Sequence, residues 1–241
     1  MVDENALLAE RRGHVLLLTL NRHHKRNALD TAMMRGLIQA LRDADADADI
    51  HCVVIGARGT CFCAGADLEE LRAIPRDRAD LLRARADLLV EINTIVARIS
   101  TPVIAAVNGP AVGAGAGLSL GCDLVVASPA ARFSYPEVKH GISAGVLIPN
   151  LIRQVGPKPA FELIATGDPI SAERAYELGM INKIVPAEEL DAAALALAER
   201  LAQFAPAGLR ASKQAFQQAY DMTMQDAVRA ARDVNDRIRA S

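Results

Sequence analysis

The stretch Pro102-Val-Ile-Ala-Ala-Val-Asn-Gly-Pro-Ala-Val-Gly-Ala-Gly-Ala-Gly-Leu118, continuing to Gly121-Cys-Asp123, decides how this chain folds. Val103 to Val107 is an unbroken apolar run with the length of a strand buried on both faces. Asn108-Gly109-Pro110 turns the chain, and glycines at 113, 115 and 117 open a helix. Without Cβ atoms there, a ligand or another backbone can come close. Phe62-Cys-Ala-Gly-Ala-Asp-Leu68 has the same character, after the apolar strand Cys52 to Ile55 and the turn Gly56-Ala-Arg-Gly-Thr60.

Outward from these segments, His14 to Leu20 reads as a buried strand ending in the polar loop Asn21 to Asn27. A helix follows from Thr31 to about Leu41, with Met34, Leu37, Ile38 and Leu41 on one face. The alternating Asp43 to Asp49 segment reads as a solvated connection. A long helix spans Ala79 to Ile99, with Leu81, Leu88, Ile92, Ile95 and Ile99 marking its apolar face, and Thr101-Pro102 stops it. Leu124 to Ala127 is a further strand, Arg132-Phe133 a short extended piece and Tyr135-Pro136-Glu137 a loop. From Pro157 the pattern is nearly all helical, broken at Gly167-Asp-Pro169, Gly179, Pro186 and Pro206. The expectation is an α/β core over 1–185 and a helical C-terminal extension over 186–241, within one functional unit.

A chain of 241 residues, 51% of them apolar, can build a large core. Its net charge of −2 supplies no field to draw in nucleic acid or an anionic membrane, and three Tyr, five Phe and no Trp leave few stacking platforms. Neither partner class is expected. Cys52, Cys61, Cys63 and Cys122 match neither zinc knuckles nor a secreted disulfide framework. With the acidic start Met1 to Asn5 and no apolar run long enough for a bilayer, they predict a reduced, cytoplasmic protein.

Three motifs are decoys. Gly113-x-Gly115 begins a dinucleotide fingerprint, but Leu118 stands where its third glycine belongs. Gly117-Leu-Ser119-Leu-Gly121 matches a nucleophile elbow, yet the only later histidine is His140, with Asp123 the sole Asp between, and such short separations do not suit a triad, so Ser119 reads as a buried helix residue. Cys61-x-Cys63 has no histidine at zinc-like spacing, and no metal is expected. His23 and His24 read as surface residues that could line a phosphate site.

In order and spacing, the two glycine-rich segments resemble the oxyanion-hole elements of the crotonase (enoyl-CoA hydratase/isomerase) superfamily. Asn21-Arg22, Asn27-Ala-Leu29, Phe133 to Gly141, Thr166 to Ser171, Ala175 to Val185 and Ser212-Lys213 extend the resemblance over almost the whole chain. It implies a spiral of repeated ββα units, with C-terminal helices that drive trimers or dimers of trimers. The implied substrate is an acyl-CoA thioester, with CoA part of the substrate and no further cofactor. The resemblance assigns the oxyanion donors to the backbone N–H groups of Ala66 and Ala114. These sit among Ala64, Gly65, Asp67 and Leu68 in one segment and Gly113 in the other. Two aligned donors would stabilise the enolate of a thioester, and the second gains from the positive end of a helix.

Family hydratases carry two glutamates. Glu137 matches the second, and the first falls on Gly117, which has no side chain to hold water or carry a proton. A single carboxylate suits movement of a double bond from the 3 to the 2 position, because one base can take a proton from C2 and return it at C4. The expected activity is therefore 3-to-2 enoyl-CoA isomerisation. The alternatives are hydration with Glu69, Glu70 or another group as second acid–base, and an acyl-CoA-binding protein of weak activity. For CoA itself, the resemblance points to the loop from Arg22 to Ala28, with Lys25 and Arg26 as cations, and to Lys213 reaching a neighbouring subunit's CoA. Gly145-Val-Leu-Ile-Pro-Asn-Leu151 departs from the glycine-rich turn of many hydratases and predicts a bulkier acyl pocket wall.

Overall fold

Unbroken apolar runs in the strands call for a sheet covered on both sides, and the computed structural model, which describes residues 6–75 and 77–240, has one. Met1 to Asn5, with the acidic start noted above, lie outside the described residues. In chain order the elements begin with β1 (Leu7–Arg12), β2 (Val15–Leu20), α1 (Thr31–Ala46), β3 (Cys52–Ala57), α2 (Leu68–Ala73) and α3 (Ala79–Arg98). Then come β4 (Val103–Val107), β5 (Pro110–Val112), α4 (Ala114–Gly121), β6 (Leu124–Ala127), β7 (Arg132–Ser134), α5 (Ile148–Val155) and α6 (Pro157–Thr166). The chain closes with β8 (Ile170–Ser171), α7 (Ala172–Glu177), β9 (Lys183–Ile184), α8 (Leu190–Ala202), α9 (Pro206–Ala219) and α10 (Met224–Ala240).

The main sheet runs β1-β2-β3-β4-β6-β9, and every pair except β1 with β2 is parallel. A second sheet, β5-β7-β8, lies beside it, and the bridges Leu29↔Ala66 and Cys63↔Ala111 continue that layer back along the chain. The chain thus repeats one unit: a strand of the main sheet, a short extended piece in the second layer, then a helix. The units are β2–Leu29–α1, β3–Cys63–α2, β4–β5–α4 and β6–β7–α5. This is the ββα spiral that the sequence resemblance implied.

On one face of the sheet Val53, Ile55, Val103, Ala105 and Val107 meet Met34, Leu37, Ile38 and Leu41 of α1 and Ile92, Ile95 and Val96 of α3. The alternate residues Cys52, Val54, Ile104, Ala106 and Val126 meet Leu190, Ala194 and Ala198 of α8. The second face explains why these strands read as continuous apolar runs. It also sets α8 against the sheet, on the far side of the boundary drawn at 185/186.

Three segments differ from the sequence reading. β1 forms an antiparallel edge with an exposed, charged end, Glu10-Arg11-Arg12, which carries no apolar periodicity. Pro110, expected in a turn, starts β5, a strand too short to announce itself. Helix α1 continues through Asp43 and Asp45 to Ala46, so the aspartate run is no solvated connection throughout. Asp45 Oδ1 accepts from Ser100 N at 2.9 Å and Thr101 N at 2.8 Å, tying the end of α1 to the turn before β4.

Helix α9 is pinned to the core by two cations. Arg210 donates to the carbonyls of Asp45, Asp47 and Ile50. Lys213 is 7% exposed; its Nζ donates to Thr101 O at 2.8 Å and pairs with Asp123 Oδ2 at 2.7 Å. Among the described residues no helix is long and apolar enough to cross a membrane.

Removing one partner of a buried ion pair leaves the other charge unpaired, so Lys213→Met should cost about 3 kcal/mol or more, a Tm drop of roughly 6–12 °C. Adding Asp123→Asn should recover most of it. Thermal melts of the two variants check this; equal stability of Lys213→Met and wild type would contradict it.

Candidate active site

The site forms where the second layer crosses the start of α4. Val112 N donates to Cys63 O at 2.9 Å and Cys63 N to Pro110 O at 3.2 Å, lacing the 62–66 loop to β5. On its other side Leu29 N donates to Gly65 O at 2.7 Å and Asp67 N to Leu29 O at 2.9 Å. This double lacing spends the N–H groups of residues 63 and 67 and leaves that of Ala66. Among the described residues neither Ala66 N nor Ala114 N, the first residue of α4, donates to a backbone acceptor.

Two glycines make this approach possible. Gly65 has φ +87°, and a Cβ there would stand 2.6 Å from Val112 O and 3.4 Å from Ala114 N. Gly115 faces the same loop from α4: its Cβ would fall 2.7 Å from Cβ and 2.8 Å from Sγ of Cys63. Any side chain at either position would push the 62–66 loop and the helix start apart. Burial pushes the Cys63 thiol up to about 12, so that sulfur is packing and not a nucleophile.

Glu137 arrives from β7. That strand runs parallel to β5, Gly113 N donates to Ser134 O at 2.8 Å, and buried Tyr135 and then Pro136 lead into a short 3-10 turn carrying Glu137. Its Oε1 lies 2.5 Å from where a Cβ on Gly113 would be, so the carboxylate rests against the backbone at the head of α4. Oε2 is buried with no hydrogen-bond partner. Desolvation pushes the Glu137 pKa above the ordinary glutamate range; a backbone hydrogen bond and the nearby His140 offset only part of that rise.

Asp67 and Arg22 brace the loop. Asp67 caps α2, with Oδ1 accepting from Glu69 N and Glu70 N, each at 3.1 Å. Its Oδ2 takes Arg22 Nη2 at 3.0 Å, and Arg22 also pairs with Asp30 and donates to Ala28 O. Burial works to raise the Asp67 carboxyl, but hydrogen bonds from Glu70 N and Arg22 and the guanidinium charge outweigh it and hold the pKa below its ordinary value.

The structure therefore sorts the expected site residues. Ala64, Gly65, Ala66, Leu68, Gly113, Ala114, Gly117 and Glu137 belong to the loop, helix start and turn just described. Arg22, expected to face CoA, is buried in its pairs with Asp30 and Asp67 and serves as a brace. Lys213, expected to reach a neighbour's CoA, spends its ammonium on Thr101 and Asp123. Lys25 stands at the surface turn paired with Glu69, next to exposed Arg26, whose φ of +51° turns its backbone outward of the helical region. Glu70 accepts from Thr31 N and pairs with Arg85, so it too is structural. Ser119 is buried, its Oγ donating to Ala116 O at 2.9 Å, as a helix residue would.

Sequence reasoning missed Asn93 and Leu147, which pack against Gly117. An asparagine amid the helix pattern of α3, where that residue is a poor helix former, was the one signal for the first. Leu147 lies in the segment already marked as unusual.

A spiral α/β chain that sets two unspent N–H groups and a half-buried carboxylate around one helix start has the form of an enolate-stabilising enzyme. The family model described as Enoyl-CoA hydratase/isomerase matches residues 10–240. A putative enoyl-CoA hydratase of Thermus thermophilus is 40% identical over 228 residues, covering 95% of this chain and 90% of the relative. The 2,3-dehydroadipyl-CoA hydratase of Escherichia coli is 38% identical, covering 91% and 84%. The crystal structure of an enoyl-CoA hydratase from Bacillus anthracis superposes with TM-score 0.93 at 29% identity, covering 98% of this chain and 92% of that one. The chain belongs to the enoyl-CoA hydratase/isomerase family and is an acyl-CoA enzyme.

Because its folded-state pKa is depressed, Asp67 contributes stability above its ordinary pKa of 3.8 that is lost as pH falls through the lower folded value. Asp67→Asn should be less stable than wild type at neutral pH, with the gap narrowing below about pH 4. Denaturant melts across pH check this; a gap that widens in acid would contradict the assignment.

Proposed function

We propose that this enzyme moves the double bond of a 3-enoyl-CoA to the 2 position, with Glu137 as its single acid–base group. The observation that carries the reading is the Glu137 carboxylate itself. It is half-buried, raised in pKa, unpaired at its buried Oε2 and set against the α4 start, while the position of the other family glutamate is Gly117. Glu69 and Glu70, the other candidates, are engaged by Lys25 and by Arg85.

The steps need nothing beyond these groups. Glu137 takes a proton from C2, and the pair of that C–H bond forms C1=C2 as the carbonyl pair moves onto the thioester oxygen, held between Ala66 N–H and Ala114 N–H; the resulting enolate is conjugated with C3=C4. The same proton then returns to C4: the oxygen pair re-forms C1=O, the C1=C2 pair becomes C2=C3, and the former C3=C4 pair makes the new C4–H bond. No oxidation state changes, so CoA within the substrate suffices. A base with a raised pKa is also a competent acid for the return step. Exposed Arg26 and Lys25, in its surface pair with Glu69, are the cations beside this loop for the phosphates of CoA.

The relatives' names favour hydration as the second reading. In this chain it would require a water-holding group other than residue 117. A chain that binds acyl-CoA without turnover is the third, and the same assay separates all three.

For assembly we propose a trimer or a dimer of trimers built through α9 and α10. Phe216 (59% exposed), Tyr220, Met224 (80%) and Val228 present a contiguous run of apolar side chains along these helices. A mass three or six times that of the chain in solution is expected; a monomer at micromolar concentration would contradict it.

Glu137→Gln keeps the size and removes the proton carrier, so 3-enoyl-CoA turnover should fall by about 10²–10⁴-fold with CoA affinity nearly unchanged. In the wild type kcat/KM should rise with pH through an apparent pKa above 4.5, as the half-buried carboxylate ionises, and the variant should lack that limb. Undiminished turnover in Glu137→Gln would contradict the proposal.

A further inference from the structure

Gly117 is not a turn glycine. It lies inside α4, its N–H donating to Gly113 O at 2.9 Å, and no left-handed backbone requires it. What requires it is space. A Cβ there would overlap Oδ1 of Asn93 and stand 2.6 Å from Cδ2 of Leu147. Asn93 is held in that pose, because its Nδ2 donates to Leu89 O at 2.7 Å one turn earlier in α3, which directs Oδ1 at α4. Leu147, 4% exposed, reaches the same point from the segment before α5. Two separate elements converge on one missing side chain.

This wall stands beside the acid–base group. Glu137 rests against Gly113, the residue before α4, and Asn93 and Leu147 rest against Gly117, four residues further along the chain. The place a side chain at 117 would take is therefore bounded by an uncharged amide and a methyl group, neither of which can take or give a proton at neutral pH.

We propose that Asn93 and Leu147 are specificity-determining residues that occupy the slot of a side chain at 117 and keep a reactive water from lodging there. Hydration of a 2-enoyl-CoA forms a C3–O bond to water and a C2–H bond, so it needs an oriented water at C3. Isomerisation moves one proton from C2 to C4 and needs none. A filled slot thus favours the second reaction over the first. The inference rests on the single-glutamate reading of this site.

The test measures Tm and the rates of hydration of 2-enoyl-CoA and isomerisation of 3-enoyl-CoA for wild type, Gly117→Ser, Asn93→Ala/Leu147→Ala and the triple combination. In the wild-type background Gly117→Ser should lower Tm by about 4–10 °C, and in the opened background by less than half as much. The opened double variant should shift the hydration-to-isomerisation ratio toward hydration by about tenfold or more. A ratio held at the wild-type value overturns the proposal even if the melting temperatures couple, because packing alone would produce that coupling. If the double variant does not fold, the near-isosteric Asn93→Asp carries the measurement: a carboxylate in the slot should raise the hydration share, and an unchanged ratio overturns the proposal. Failure of the underlying reading looks different, since Glu137→Gln would then retain isomerisation.

Discussion

The structure depends on one close approach: the backbone of the 62–66 loop against the first turn of α4, at a separation that leaves no room for a Cβ at Gly65 or Gly115. Strand pairing carries the loop to that point, since Cys63 bonds to Pro110 and Val112 on one side while Leu29 bonds to residues 65 and 67 on the other. A parallel sheet with helices on both faces then holds β4 and β5 in line with α4. Preorganisation of this kind is what gives fixed N–H donors their value, because no dipole must turn when charge develops.

The charged groups around this approach divide by pairing. The carboxylates with buried cationic partners, Asp30 and Asp67 with Arg22, Glu70 with Arg85 and Asp123 with Lys213, maintain geometry at the loop and beneath α9. Glu137 has no such partner: half-buried, with Oε2 unbonded, its carboxylate is raised in pKa and left available as a base. Pairing and not burial alone separates the structural acids from the proposed reactive one, since burial raises the pKa of Asp123 too.

Much of this was legible in the sequence. The runs 52–55, 103–107 and 124–127 are strands because both their faces are buried, and a continuous apolar run reports that directly. The glycines at 65, 113 and 115 and the carboxylate at 137 followed from motif order. The remainder depends on contacts between distant segments. Nothing local tells a surface arginine from Arg22, whose partners Asp30 and Asp67 lie in other units of the spiral, or a solvated lysine from Lys213, buried against β4. The edge strand β1 carries charges outward, and β5 exists only because β7 and the Cys63 bridge flank it. Gly117 could be seen as a missing glutamate; that Asn93 and Leu147 fill its place required the packing of α3 and the 144–147 segment onto α4.

The central claim is that Ala66 and Ala114 hold the thioester oxygen. A crystal structure of the enzyme with a non-reactive acyl-CoA analogue measures it directly. The account predicts that oxygen within about 2.7–3.1 Å of both backbone nitrogens, with the acyl C2 facing Glu137. A thioester oxygen bonded to other donors, or turned toward solvent, would contradict it.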